Sequence, residues 1–164
     1  MQETTERLRI IDARGDEGWR PRLEAHLLRL DAEARQMRFF SPIGDRGIRA
    51  LVAGWSPLAL VVHEPDGEIR GCAEILPGAA PGSAEVAVEV ERAWQGRGIG
   101  ARLTEAAMCE AARRGLSDVR LMCLRQNTPM LRIARALPLR ALPLADWALA
   151  LFRLETGEGG QPAG

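Results

Sequence analysis

The chain has 164 residues, 46% hydrophobic and 27% charged, with 22 basic residues set against 22 acidic ones. That is enough to bury one core without disulfides or metals, and it excludes a nucleic-acid or membrane partner recognised by bulk charge. Every basic residue other than histidine is arginine and tyrosine is absent, so neither a phosphate loop that depends on lysine nor a tyrosine acid can exist here.

In chain order, Leu8–Asp12 reads as a strand, and residues 21–37 as a helix with Pro21 in its first turn and Leu23, Leu27 and Leu30 at helical spacing. Residues 45–55 form a second short helix ending near Gly54. Residues 58–62 and 68–76 read as strands joined by a turn at Asp66-Gly67. Residues 84–91 alternate, with Val86, Val88 and Val90 on one face and Glu85, Glu89 and Glu91 on the other, predicting a strand whose glutamate face meets water.

The period then becomes helical from Gly98 to Arg114, with Ile99, Leu103, Ala106 and Ala107 on one stripe. Residues 118–124 form a strand, and Asn127, Thr128 and Pro129 open a helix that Pro138 stops. A last strand is expected within 145–152, and residues 155–164 read as an unstructured tail after one domain over 1–154. This order describes an α/β or α+β domain with a mixed sheet.

Cys72, Cys109 and Cys123 are widely spaced and contain no CxxC pair, which argues against a disulfide framework or a metal site. No apolar leader or run of about 20 apolar residues is present, so a cytoplasmic protein is expected.

Three glycines crowd the stretch Trp94 to Gly100, immediately before the longest helix. Gly96, Gly98 and Ala101 satisfy the spacing of a dinucleotide fingerprint, but five residues separate Val90 from Gly96 and no acidic residue ends the strand at 118–124. A glycine-rich loop entering a helix N-terminus also suits a pyrophosphate, with Arg97 and Arg102 adding charge. A tight loop that merely permits strand-to-helix packing is the plainer reading.

Residues Gln95 to Gly100, QGRGIG, resemble the acyl-CoA signature [RQ]-x-x-G-x-[GA] of the GNAT superfamily of N-acetyltransferases. The strand ending at Val90, the ERAW linker and the Asn127-x-Pro129-Met130 opening share that setting. Residues 26–42 and 66–75 resemble the acetyltransferase domain of bacterial protein lysine acetyltransferases, so the resemblance spans roughly 7–137.

The resemblance implies a mostly antiparallel sheet of six to seven strands, about four helices, and acyl-CoA in a gap between the fourth and fifth strands. It implies backbone bonds from Val88 and Val90 to pantetheine, and a pyrophosphate cradle at Gln95, Gly96, Arg97, Gly98, Ile99, Gly100 and Ala101. Asn127 would touch the pantetheine arm or simply cap its helix.

Glu85 matches the family's general base, and partial burial would tune it for that work. Glu74 and Glu89 are weaker candidates, read as substrate-facing or solvated. His26 and His63 are read as structural or exposed, and Trp94 as an anchor for the loop. The family's tyrosine acid falls at Ala134, and residues 136–144 depart from the family pattern.

The expected activity is acetyl transfer from acetyl-CoA to a primary amine, of a protein lysine or a small molecule, without metal, nucleic acid or membrane. The alternative is an acyl-CoA-binding module without turnover, and the resemblance allows a homodimer.

Overall fold

The computed structural model describes residues 7–155. Seven strands form one sheet in the order β1-β2-β3-β4-β5-β7-β6. They are β1 (Arg9–Asp12), β2 (Ala59–His63), β3 (Gly71–Pro77), β4 (Ser83–Val90), β5 (Asp118–Leu124), β6 (Leu139–Leu142) and β7 (Leu149–Leu154). Every pairing is antiparallel except β4 with β5. Five α-helices accompany them: α1 (Trp19–Arg29), α2 (Ala32–Phe39), α3 (Asp45–Gly54), α4 (Ile99–Arg113) and α5 (Thr128–Ala136).

The helix expected over 21–37 is two helices, which makes five in place of about four. Leu30 takes an extended conformation, and the Asp31 carboxylate accepts from the Ala34 amide at 2.8 Å, so a new helix starts where the first ends. The leucine spacing ends at Leu30, the last residue before this break, and α2 itself carries no leucine. The last strand begins at Leu149 rather than 145, and Trp147 before it is 84% exposed. The proposed tail falls, apart from Glu155, outside the described residues.

Helices cover both faces of the sheet. Helix α4 lays Ile99, Leu103, Ala107 and Ala111 against Val61, Ala73, Ile75 and Val86. On the opposite face α1 and α3 pack Leu23, Leu27, Ile48 and Val52 against Leu60, Val62 and Cys72. Burial on both sides follows from apolar side chains pointing alternately up and down along β2 and β3. No described helix is long and apolar enough to cross a membrane.

Candidate active site

Strands β4 and β5 pair only from Ser83↔Asp118 to Val86↔Leu121, although β4 runs on to Val90 and β5 to Leu124. Beyond that point each follows its other neighbour, β4 with β3 and β5 with β7, and the sheet opens. The Glu91 amide donates to the Arg70 carbonyl and the Gly78 amide to the Ser83 carbonyl, so the odd-numbered residues of β4 bond toward β3. Alternation turns the N–H and C=O groups of Val88 and Val90 the other way, toward the gap. One of these groups, the Val90 carbonyl, accepts from the Gln95 side-chain amide at 3.0 Å.

From β4 a single 3-10 turn, Arg92–Trp94, leads into the glycine loop. Gly96 and Gly98 both have φ +75°, a conformation that residues with a Cβ rarely adopt, and a Cβ at either would meet nothing within 4 Å. The loop is thus shaped by glycine's access to this region and leaves open space above it. The first α4 amide to bond within the helix is that of Arg102, to the Gly98 carbonyl, which leaves the Ile99, Gly100 and Ala101 amides without helical partners. With no side-chain cap and no acidic residue in its first turn, this end of α4 suits an anion.

Arg97 is folded back in this structure. Its guanidinium lies 4.7 Å over the Trp94 ring and donates to the Ala93 carbonyl at 3.2 Å. Trp94 is half-buried and meets the His63 ring edge-on at 5.7 Å, which ties the loop to β2 as expected.

A cleft of about 50 Å³ lies where β4 and β5 part, and its lining includes Arg38, Glu85, Val88, Cys123 and Asn127. Glu85 and Asn127, 42 positions apart in sequence, are therefore brought to one site. Asn127 caps α5 through its side-chain oxygen, accepting from Met130 N at 3.3 Å, so the cap role is realised and the amide NH₂ is uncommitted by that bond. Glu85 is exposed rather than partly buried in the chain alone. Burial pushes the Cys123 thiol up to about 11, which keeps it protonated at neutral pH. Ala134, at the position of the family's tyrosine, is fully buried.

The glutamate face of β4 meets solvent only at Glu85, and beyond it, contrary to expectation, Glu89 and Glu91 are buried. Glu89 is 6% exposed and Glu74 on β3 is 0% exposed, beneath α1 and α2. Arg38 Nε donates to Glu89 at 2.9 Å and Arg38 Nη2 lies 3.4 Å from Glu74. His26, fully buried as is His63, has Nδ1 3.0 Å from Glu91 and Nε2 3.4 Å from Glu89. Arg29 and Arg70 complete the network at Glu91.

Burial opposes the charge on His26, but two flanking carboxylates outweigh it and hold the imidazole above its ordinary value. Glu89 is held low by His26 and Arg38 against the cost of its burial. Burial and the Glu89 charge push Glu74 well above the ordinary carboxylate range. Cys72, Glu74 and Glu89 bring a thiol and two carboxylates within 4.8 Å, a donor set that could hold a metal, but Arg38 already lies against both carboxylates.

The sequence reading missed this network because nothing local marks Arg38 or His26. The charge periodicity of β4 was visible, but it could not show that helices cover it.

A family model described as Acetyltransferase (GNAT) family matches residues 26–137, more than half of the chain. The chain belongs to the GNAT acetyltransferase family. As a GNAT protein it is, in general terms, an acetyl-CoA-dependent N-acetyltransferase. Among solved structures, the GNAT domain of S. lividans PAT superposes with a TM-score of 0.71 at 20% identity, over 90% of this chain and 88% of that one. The Salmonella typhimurium protein yncA, described as an acetyltransferase and solved with acetyl-CoA, gives 0.62 at 19% identity over 96% and 97%. Ribosomal-protein-alanine N-acetyltransferase from Brucella melitensis gives 0.63 at 17% identity over 90% and 98%. These identities establish a shared GNAT fold and no more. No curated protein sequence matches.

Proposed function

We propose that this protein transfers an acetyl group from acetyl-CoA directly to a primary amine, with Glu85 receiving the amine proton. The observation that carries the reading is the meeting of Glu85 with the parted strands: Glu85, Val88 and Asn127 line one cleft. The Val88 and Val90 main chain would bond an extended amide arm there, much as a further strand would. The loop from Gln95 to Ala101 would hold the pyrophosphate on unpaired amides at the positive end of α4, and the open space above Gly96 and Gly98 gives it room. When bound, acetyl-CoA supplies an activated acyl group on a thiol that leaves readily.

An amine with a pKa near 10.4 is neutral in roughly one molecule in 2,500 at pH 7, a cost of about 4.6 kcal/mol. Glu85 would lower that cost by accepting the proton as the C–N bond forms and the C–S bond breaks. It is exposed in the chain alone, and an acceptor seated in the cleft would cover it. Solvent protonates the departing thiolate, which needs no strong acid because its pKa is near 8.5.

Both acceptor classes have support. The resemblance of residues 26–42 and 66–75 to the acetyltransferase domain of bacterial protein lysine acetyltransferases favours a protein lysine. A structure described as a phosphinothricin N-acetyltransferase, 18% identical with a TM-score of 0.71, favours a small amine. With no lysine in the chain, any acetyl-lysine formed belongs to another molecule.

The second reading, acyl-CoA binding without turnover, is favoured by the buried alanine at position 134. CoA release from acetyl-CoA, measured with a panel of amines and lysine-bearing proteins, separates the two. Glu85→Gln should lower kcat/KM by about 10²- to 10⁴-fold and leave acetyl-CoA affinity unchanged. Tight acetyl-CoA binding with no transfer to any acceptor overturns the enzyme reading.

A further inference from the structure

Arg38, near the end of α2, lines the same cleft as Glu85. Its side chain is 10% exposed and its guanidinium lies 4.8 Å from the Phe39 ring and 5.3 Å from the Trp55 ring. One edge of the fork is committed: Nε donates to Glu89, and Nη2 faces Glu74 at 3.4 Å. Nη2 is nonetheless buried without a hydrogen bond. Nη1 makes no hydrogen bond to any described residue and is not among the fully buried unpaired atoms, so it keeps some exposure. A rigid guanidinium with unmet donors therefore stands in the wall of the cleft.

We propose that Arg38 selects the acceptor by binding a carboxylate next to the reacting amine, so that the preferred substrate is a free amino acid. This deepens the N-acetyltransferase reading and rests on it. The cleft offers one carboxylate, Glu85, and one guanidinium, Arg38, among apolar side chains such as Leu121, Met122 and Met130. A zwitterion, ammonium toward Glu85 and carboxylate toward Arg38, complements both. A lysine ε-ammonium complements only Glu85 and leaves the Arg38 donors unpaired in a low-dielectric wall. Arginine's planar fork matches a carboxylate geometrically. Burial of Glu74 adds to this, since it disfavours the charged form of that carboxyl and so weakens its hold on Arg38.

The test titrates CoA-loaded protein calorimetrically with amino acids and with the amines left by their decarboxylation, leucine against 3-methylbutylamine for example, and assays acetyl transfer to the same pairs. Charged hydrogen bonds of this kind predict that amino acids bind about 10- to 100-fold more tightly than their decarboxylated partners. The preference should vanish in Arg38→Lys, whose thermal transition is recorded to establish that it folds and whose acetyl-CoA affinity should remain close to that of the parent. Equal binding within every pair, or a preference that survives in Arg38→Lys, overturns the proposal. Transfer to simple amines or lysyl peptides without any carboxylate preference overturns it while sparing the enzyme. A carboxylate preference in binding without transfer sustains the proposal and removes only the enzyme reading.

Discussion

The side-chain amide of Gln95 donates to the main-chain carbonyl of Val90 at 3.0 Å, tying the first residue of the glycine-loop signature to the last residue of β4. This bond closes the five-residue link between the strand that opens and the loop that would take the pyrophosphate. One such bond contributes about 0.5–1.5 kcal/mol net, so Gln95→Ala should weaken acetyl-CoA binding by roughly 2- to 10-fold. The melting temperature should stay nearly constant, because Gln95 is exposed. Calorimetric titration with acetyl-CoA measures the first and a thermal scan the second; unchanged affinity would show that the loop is held by other contacts.

Gly98 caps α4 at φ +75°. Gly98→Ala forces a Cβ into the left-handed region at a cost of about 1–2 kcal/mol, although nothing in the protein stands within 4 Å of it. The new methyl would also occupy the space above the loop. The expected result is a modest loss in urea stability together with a larger loss of acetyl-CoA affinity. An affinity that falls no further than the stability does would argue against a ligand in that space.

Glu74 and Glu89 share the buried network but should respond oppositely to amidation. Burial and the Glu89 charge favour the protonated form of Glu74, which glutamine mimics, so Glu74→Gln should cost under about 1 kcal/mol. Glu89 is held ionised between Arg38 and His26, and Glu89→Gln leaves buried cations uncompensated at a cost of about 3–5 kcal/mol. Urea unfolding at pH 7 ranks the two; equal losses would mean that both carboxylates are ionised.

The same network sets a pH window. Glu89 and Glu91 lie below their ordinary 4.5, so their stabilisation is complete above 4.5 and is lost as pH falls through their folded values. His26 lies above its ordinary 6.5, so its stabilisation is complete below 6.5 and is lost as pH rises through its folded value. Glu74, raised as well, contributes fully only below its ordinary 4.5 and loses that contribution as pH rises from there toward its folded value, because the unfolded glutamate ionises first. Stability should therefore be highest near pH 4.5 and decline from there toward pH 9, with His26 adding its own loss above 6.5, and with a shallower decline in Glu74→Gln. Denaturant midpoints across pH check this, and a midpoint that climbs from pH 6.5 to 9 would contradict it.

Most strands were legible because their side chains carry the period themselves: the expected span 118–124 is β5, and 84–91 is β4 displaced by one residue. The break at Leu30–Asp31 was not legible, because residues 31–37 are ordinary helix formers that read as a continuation and only the backbone shows Asp31 starting a new helix. The start of β7 was misplaced because Trp147 looks like a strand residue and is instead exposed in the preceding turn. At the site, QGRGIG announced the loop through glycine's conformational freedom alone. Arg38 announced nothing, Glu74 was only a weak candidate read as substrate-facing or solvated, and His26 was read as structural or exposed, since a charged residue is read as solvated until something is known to cover it.

The amino-acid sequence by itself determined the local chemistry of this protein: positive-φ turns at Gly96 and Gly98, an α4 N-terminus without acidic residues, and the absence of lysine and tyrosine. These depend on each residue and its immediate neighbours. Only the tertiary structure decided where β4 leaves β5, because that depends on each strand following a different partner. It alone placed Arg38 and Glu85 in one cleft and made Glu89 of β4 and Glu91 just after it interior residues, because burial is set by helices distant in sequence that fold over the sheet.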